Sequence, residues 1–285
     1  MIYVSTGGNK SISGYESAFN FLNEGFKAVE LSGGTYDEQQ LEKLKTLKAG
    51  LYLQVHNYYP PPAQPFVLNL ASNDSLIFEQ SLAHIKKGIR WAIELGNPVY
   101  SFHAGFLFDP RPIDLGKHIE KQPLADRKET LELFIKRVND LASEFKDSGV
   151  TLLVENNVLS NKNLSNFGGD PFLLTESSEA NRFMSEMPEN VKLLIDVAHV
   201  KVTASSLKFE PEKMLIECAN WTYAYHLSDN DGITDSNSPV SSESWFWPYL
   251  KKNVEFYVLE VYNISNFELL QQVSLVSKML KMYEK

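Results

Sequence analysis

The chain has 285 residues, 43% hydrophobic and 22% charged, a composition that excludes a disordered protein. Its formal net charge of −9 supplies no long-range attraction for nucleic acid, and the lone Cys218 excludes an internal disulfide. No apolar run approaches the roughly 20 residues that span a bilayer. Residues 1–10 also lack the apolar stretch of a signal peptide, so a cytoplasmic location is expected.

Short β-branched or aromatic runs alternate with longer helical patterns along the chain. The expected strands, in order, are Ile2–Ser5, Phe26–Leu31, Leu51–His56, Val99–His103, Val150–Glu155, Lys192–Asp196, Thr222–Leu227 and Glu255–Glu260. Several are near-continuous apolar runs, as in strands buried on both faces. Between them, Phe78, Leu82, Ile85, Ile89 and Ala92 form one helical stripe, with Asn73 as its expected cap and Gly96 near its end. Leu131, Phe134, Val138, Leu141 and Phe145 form another, stopped by Gly149. Ser265 and Glu268 open the last helix in capping-box spacing. Eight βα repeats with no dividing linker predict an α/β fold, a single (β/α)8 TIM barrel over residues 1–285. Tyr58–Pro65, Ala104–Lys121, Asn156–Phe172 and Ser228–Ser244 each follow a strand, on the side where such barrels place their active sites.

The ionisable residues fall in a pattern. His56, His103, Glu155, Asp196, His226 and Glu260 each stand at or beside the C-terminal end of a different strand, and His199 follows Asp196 by three residues. A barrel brings those ends to one mouth. Carboxylates and imidazoles crowded there repel or strand buried charge unless a cation lies between them. A divalent metal is therefore expected, and mixed oxygen and nitrogen ligands suit Zn, Mn or Co. Any one of these residues alone would be read as a satisfied polar group, and His84 in a helix and His118 in a loop are read that way. Tyr58, Tyr59, Phe106, Phe108, Trp245 and Trp247 are candidates to stack on a sugar, Trp245 and Trp247 being equally candidates to pack into the barrel's outer layer. Ser228–Gly232 offers hydroxyl recognition or simply a turn, and Arg111 offers a loop cation.

The segments FKAVELSGG at 26–34, LQVHNYY at 53–59, YSFHAGF at 100–106, LLVENN at 152–157, LLIDVAH at 193–199, YHLSDNDG at 225–232 and YVLEVYN at 257–263 carry a resemblance. In that order and spacing the chain resembles the xylose isomerase-like barrels, which include sugar isomerases and epimerases and the endonuclease IV-type repair enzymes. The resemblance implies one metal held by Glu155, Asp196, His226 and Glu260. It implies proton transfer by Glu155 and Glu260, with substrate contact from His199. By the same resemblance His56 and His103 contact substrate or complete a second metal site around Glu155. A third site in the repair enzymes uses an Asp-x-His pair. Here that place holds Asp235-Ser236-Asn237, and an amide is a poorer ligand than imidazole. Val240-Ser241-Ser242 also replaces the Gly-rich turn of many relatives.

Three readings of function follow. The first is an isomerase or epimerase of a sugar or related polyol, working by enediolate-type proton transfer between two Glu residues at a metal. The second is an endonuclease IV-type phosphodiesterase on damaged DNA, supported by His56 and His103 and opposed by Asn237 and the acidic balance. The third is a non-catalytic carbohydrate-binding barrel, or else an enzyme of different metal-dependent chemistry on the same scaffold. A small carbohydrate is the favoured partner, with no membrane and with nucleic acid the lesser alternative.

Overall fold

Runs of four to six residues rich in Val, Leu, Ile, Phe and Tyr form pleated strands whose side chains have an apolar surface to meet on both sides. The computed structural model describes residues 1–112 and 119–283, so His118 lies outside the described residues. Its strands are β1 (Ile2–Ser5), β2 (Ala28–Leu31), β3 (Tyr52–His56), β4 (Val99–His103), β5 (Thr151–Glu155), β6 (Val191–Asp196), β7 (Thr222–Leu227) and β8 (Phe256–Leu259). They close in sequence order into one barrel in which every neighbouring pair is parallel. Helices connect them, which makes the molecule the expected (β/α)8 barrel.

Several expected strands are off by one residue at an end, and one is off by two. Phe26 and Lys27 stand outside β2. The Phe26 ring meets Phe21 edge-on at 5.1 Å, and its amide donates to the Phe21 carbonyl at 3.0 Å. Its apolar character thus serves the close of the preceding helix, Gly14–Asn23, and not the sheet.

The helix Ser75–Leu95 buries Ile85, Ile89 and Ala92. Its cap is Asp74, correcting Asn73: the Asp74 carboxylate accepts from the amides of Leu76 and Ile77 at 2.8 and 3.3 Å. Gly96, at φ 84°, ends it in the left-handed conformation. Gly88 lets the helix approach β4, since a Cβ there would lie 2.4 Å from the Tyr100 ring. The helix Arg127–Glu144 buries Leu131, Phe134, Val138 and Leu141, with Gly149 three residues beyond a short 3-10 turn's start at Lys146. Ser265 and Glu268 bond reciprocally at the head of Asn266–Tyr283. Among the described residues no helix is long and apolar enough to cross a membrane.

His84 is packed on this outer layer, stacked on Tyr58 at 5.3 Å and edge-on to Phe66 at 5.6 Å. Burial, then the charge of Lys87, pulls its pKa down to about 4. Between that value and the ordinary 6.5 the unfolded chain binds a proton that the folded chain refuses, so stability rises with pH across the window. The loss on acidification from 6.5 towards 4 should reach about 3 kcal/mol from this residue. A His84→Leu variant should therefore show a shallower fall in denaturation midpoint over that range. Equal slopes for both proteins would refute the assignment.

Candidate metal centre

Register decides which side chains share the barrel mouth. Paired residues of adjacent parallel strands lie side by side, and His103 pairs with Glu155 while Asp196 pairs with His226. His56 ends β3 opposite Ser101, whose hydroxyl lies 2.8 Å from His56 Nδ1. Glu260 follows β8 directly, its amide donating to the Leu227 carbonyl at 3.1 Å. Asp196 is both the last residue of β6 and the N-cap of the helix Val197–Leu207. Its Oδ1 accepts from the amides of Ala198 and His199 at 2.7 and 2.9 Å, which leaves Oδ2 for the mouth. The Asp-x-x-His spacing is therefore a helix cap that sets an imidazole on the first turn.

All seven residues singled out in the sequence meet in one buried cluster. Glu155 Oε1 lies 3.3 Å from His226 Nδ1 and 3.7 Å from His199 Nδ1. Glu155 Oε2 lies 3.5 Å from His56 Nε2 and 3.6 Å from His103 Nδ1. His226 Nδ1 also faces Glu260 Oε2 at 3.4 Å and Asp196 Oδ2 at 3.9 Å. His199 Nε2 lies 3.7 Å from Asp196 Oδ2 and 3.3 Å from Asp235 Oδ2. Asp235 thus reaches the cluster from its loop, whereas Asn237 contributes its backbone carbonyl to the amide of Tyr262 at 3.0 Å.

Three residues that sequence reasoning did not single out, Glu30, Tyr262 and Ser5, border the cluster. Glu30, in the middle of β2, is fully buried and places Oε2 3.2 Å from His226 Nε2. Tyr262 donates to Glu260 Oε1 at 3.1 Å, and Ser5 reaches the same oxygen at 3.3 Å. The signal for Glu30 was a lone carboxylate inside a strand apolar on both faces. For Tyr262 the sequence carries no comparable signal.

The charges are strongly coupled. Burial raises the Glu155 pKa, but His103 and His226 outweigh it and hold the carboxyl well below its usual range. Glu260 is likewise held at about 2 by His226 against the cost of burial. Burial lifts Asp196 to about 7, opposed by His199 and aided by Asp235 and Glu155. Burial opposes charge on His226 and His199, yet the surrounding carboxylates hold both well above the ordinary histidine value. Burial pulls His103 down to about 4, although its side chain, 28% exposed, is the most open of the set.

These residues fit a divalent ion on the evidence of their own unsatisfied atoms. Both Glu155 oxygens, Asp196 Oδ2, His226 Nδ1, His103 Nδ1 and Asp235 Oδ1 are buried without a hydrogen-bond partner. Buried polar atoms rarely remain unpaired in native proteins, and here they converge. Glu155, Asp196 and His226 each offer an atom within 4.8 Å of the others, as do His56, His103 and Glu155. Mixed imidazole and carboxylate donors of this kind suit first-row divalent metals.

The other sequence candidates are placed differently. Tyr59, Phe108 and Trp247 are buried in the packing. Phe106 packs on Phe172 at 5.6 Å, Tyr58 stacks on His84, and Trp245 is half-buried. Ser228–Gly232 builds a turn in which Asp229 holds Lys201 and Ser244. Arg111 pairs with Glu120 at 3.0 Å on the surface.

A sequence model described as the xylose isomerase-like TIM barrel matches residues 22–253. No curated protein sequence matches the chain. Among solved structures, a D-tagatose 3-epimerase-like protein is similar with a TM-score of 0.75 at 16% identity, over 99% of this chain and 97% of that one. A Thermus thermophilus protein soaked with ZnCl2 is similar with a TM-score of 0.62 at 20% identity, over 97% and 98%. Endonuclease IV from the same organism is similar with a TM-score of 0.57 at 14% identity, over 99% of each chain.

Proposed function

The chain belongs to the xylose isomerase-like TIM barrel family, and on that premise we propose that it is a divalent-metal-dependent isomerase or epimerase of a sugar or related polyol. The observation that carries this reading is the convergence of Glu155 and Glu260 on one atom, His226 Nδ1, at 3.3 and 3.4 Å from different strands. Two carboxylates flanking one point are what proton removal and return about a carbonyl require. Glu155, Asp196, His226 and Glu260 would hold the ion. When bound it supplies Lewis acidity towards a carbonyl and a neighbouring hydroxyl oxygen.

The protein's own groups do the rest. One Glu carboxylate takes the proton from the carbon beside the carbonyl; the pair from that C–H bond becomes the carbon–carbon double bond of the enediolate, and the carbonyl π pair moves onto its oxygen. The other Glu has to enter the step as the carboxylic acid, and it gives that proton to the opposite face or to the adjacent carbon, so the two exchange protonation states over one turnover. Glu260 suits one of these roles because Tyr262 and Ser5 fix its Oε1, leaving Oε2 to face the centre. His199 has its Nδ1 committed to the Asn156 carbonyl at 2.9 Å, so Nε2 is the atom turned to substrate.

One observation favours a second reading, an endonuclease IV-type phosphodiesterase. His56, His103 and Glu155 make a further ligand group, and His199 meets Asp235, which exceeds what one ion and two proton carriers need. The net charge of −9 weighs against a DNA substrate. Metal content with a substrate panel separates the two. One Mn, Co or Zn per chain with epimerisation or isomerisation of ketoses is the expected result. Two or three zinc ions with incision of an abasic duplex would reverse the order.

A further inference from the structure

We infer that Glu30 is a positioning residue that fixes the tautomer and orientation of His226, so that Nδ1 is the atom His226 offers to the centre. The inference rests on the metal-centre reading above. It starts from a buried carboxylate that no proton-transfer role uses. Glu30 shows no exposed surface, sits in β2 between Val29 and Leu31, and is a poor choice for a barrel interior unless something needs its charge.

Its two oxygens are treated unequally. Oε2 accepts from Gln54 Nε2 at 3.2 Å and lies 3.2 Å from His226 Nε2, while Oε1 has no partner. Both ring nitrogens face carboxylate oxygens, so both can carry hydrogen in the metal-free protein, but an ion taken up by the three carboxylates displaces the hydrogen on Nδ1 and leaves the one on Nε2. In that neutral, metal-bound ring Nε2–H donates to Glu30 and the lone pair is on Nδ1. Nδ1 is the atom surrounded by Glu155, Glu260 and Asp196. The ring is thus held between a lone orienting carboxylate on one side and three ligand-type carboxylates on the other. Such an outer carboxylate raises ligand basicity and removes the freedom of the ring to present its other nitrogen. Gln54, directly paired with Glu30 across β2–β3, holds Oε2 in place.

The register explains why this residue and no neighbour takes the role. Glu30 pairs with Ser5 on one side and Gln54 on the other, so its side chain enters a polar layer below the ligand rim. His226, also fully buried, reaches from β7 into the same layer.

Zinc binding measured by competition with a chromophoric chelator tests this, together with long-range proton–nitrogen NMR of histidine-labelled protein. In the zinc-loaded wild-type protein His226 should carry its proton on Nε2. Glu30→Met, which keeps length but has no acceptor, should weaken zinc about tenfold to 100-fold. Glu30→Gln keeps an acceptor oxygen but not the charge, and should fall between Met and wild type. A purely structural role would lower the melting temperature of both variants without this graded order and without moving the tautomer. A proton on Nδ1 of wild-type His226, or zinc binding by folded Glu30→Met within twofold of wild type, would overturn the inference alone. If the wild-type protein takes up no zinc, manganese or cobalt, the metal-centre reading falls first and this inference with it.

Discussion

Glu155→Gln is expected to cut turnover by roughly 10³-fold or more, with the barrel intact by circular dichroism. Loss of a general acid or base alone costs about 10²- to 10⁴-fold. Glu155 stands to lose more, because both its oxygens face the centre and neither has another partner. An amide in its place turns an N–H towards imidazoles that now face a carboxylate, His56 and His103 on one side and His226 on the other. Glu260→Gln should be comparably inactive, but for a more local reason. Its Oε1 is already held by Tyr262, so the amide oxygen can keep that bond while the Oε2 position loses its charge. Both variants should lose metal, Glu155→Gln the more, because Glu155 belongs to two possible ligand groups and Glu260 to one, with Glu30, His56 and His226. Either variant retaining a tenth of wild-type turnover with bound metal would show that its carboxylate carries no proton in the reaction.

The placement of most of this cluster could be read from the order of residues, and the reason is geometrical. A parallel barrel sends every strand's C-terminal end to one rim, so His56, His103, Glu155, Asp196 and His226 needed only correct strand ends to be grouped. Glu260 fell one residue past β8, which made no difference at the rim. Glu30 escaped because it lies inside a strand, one layer down, where strand-end reasoning does not look. Phe26 was misplaced because an apolar residue at a helix end looks identical to one at a strand start. Asn73 and Asp74 are adjacent and both cap well, so only the hydrogen bonds of Asp74 separate them. The aromatic residues carried least: Tyr58 and Tyr59 are consecutive, yet one is half-buried on His84 and the other fully enclosed. Neither composition nor periodicity tells a stacking platform from a packing ring.

Removing the divalent ion should destabilise the protein and make its melting temperature depend on metal concentration. An ion that binds only the folded state at a concentration of about 100 Kd contributes about 2.7 kcal/mol. In a chain of this size that is roughly 5 °C or more. Chelation should therefore lower the midpoint by that order, and zinc or manganese should restore it. The same cluster sets the direction of the pH effect. Burial places Asp196 at about 7, and the carboxylates hold His199 and His226 protonated above the usual range, so the metal-free centre carries protons that must leave when an ion enters. Uptake should accordingly tighten from about pH 6 to about pH 8 and release protons, which calorimetry in buffers of different ionisation enthalpy would register. Asp196→Asn sharpens the expectation, because the amide oxygen can still cap the helix at Ala198 and His199 while the atom facing the mouth loses its charge. That variant should fold, melt near the metal-free wild type, and ignore added metal. A wild-type protein whose midpoint is indifferent to chelator and to metal at both pH values would mean that the converging lone pairs are satisfied by shared protons, and that no ion organises the barrel mouth.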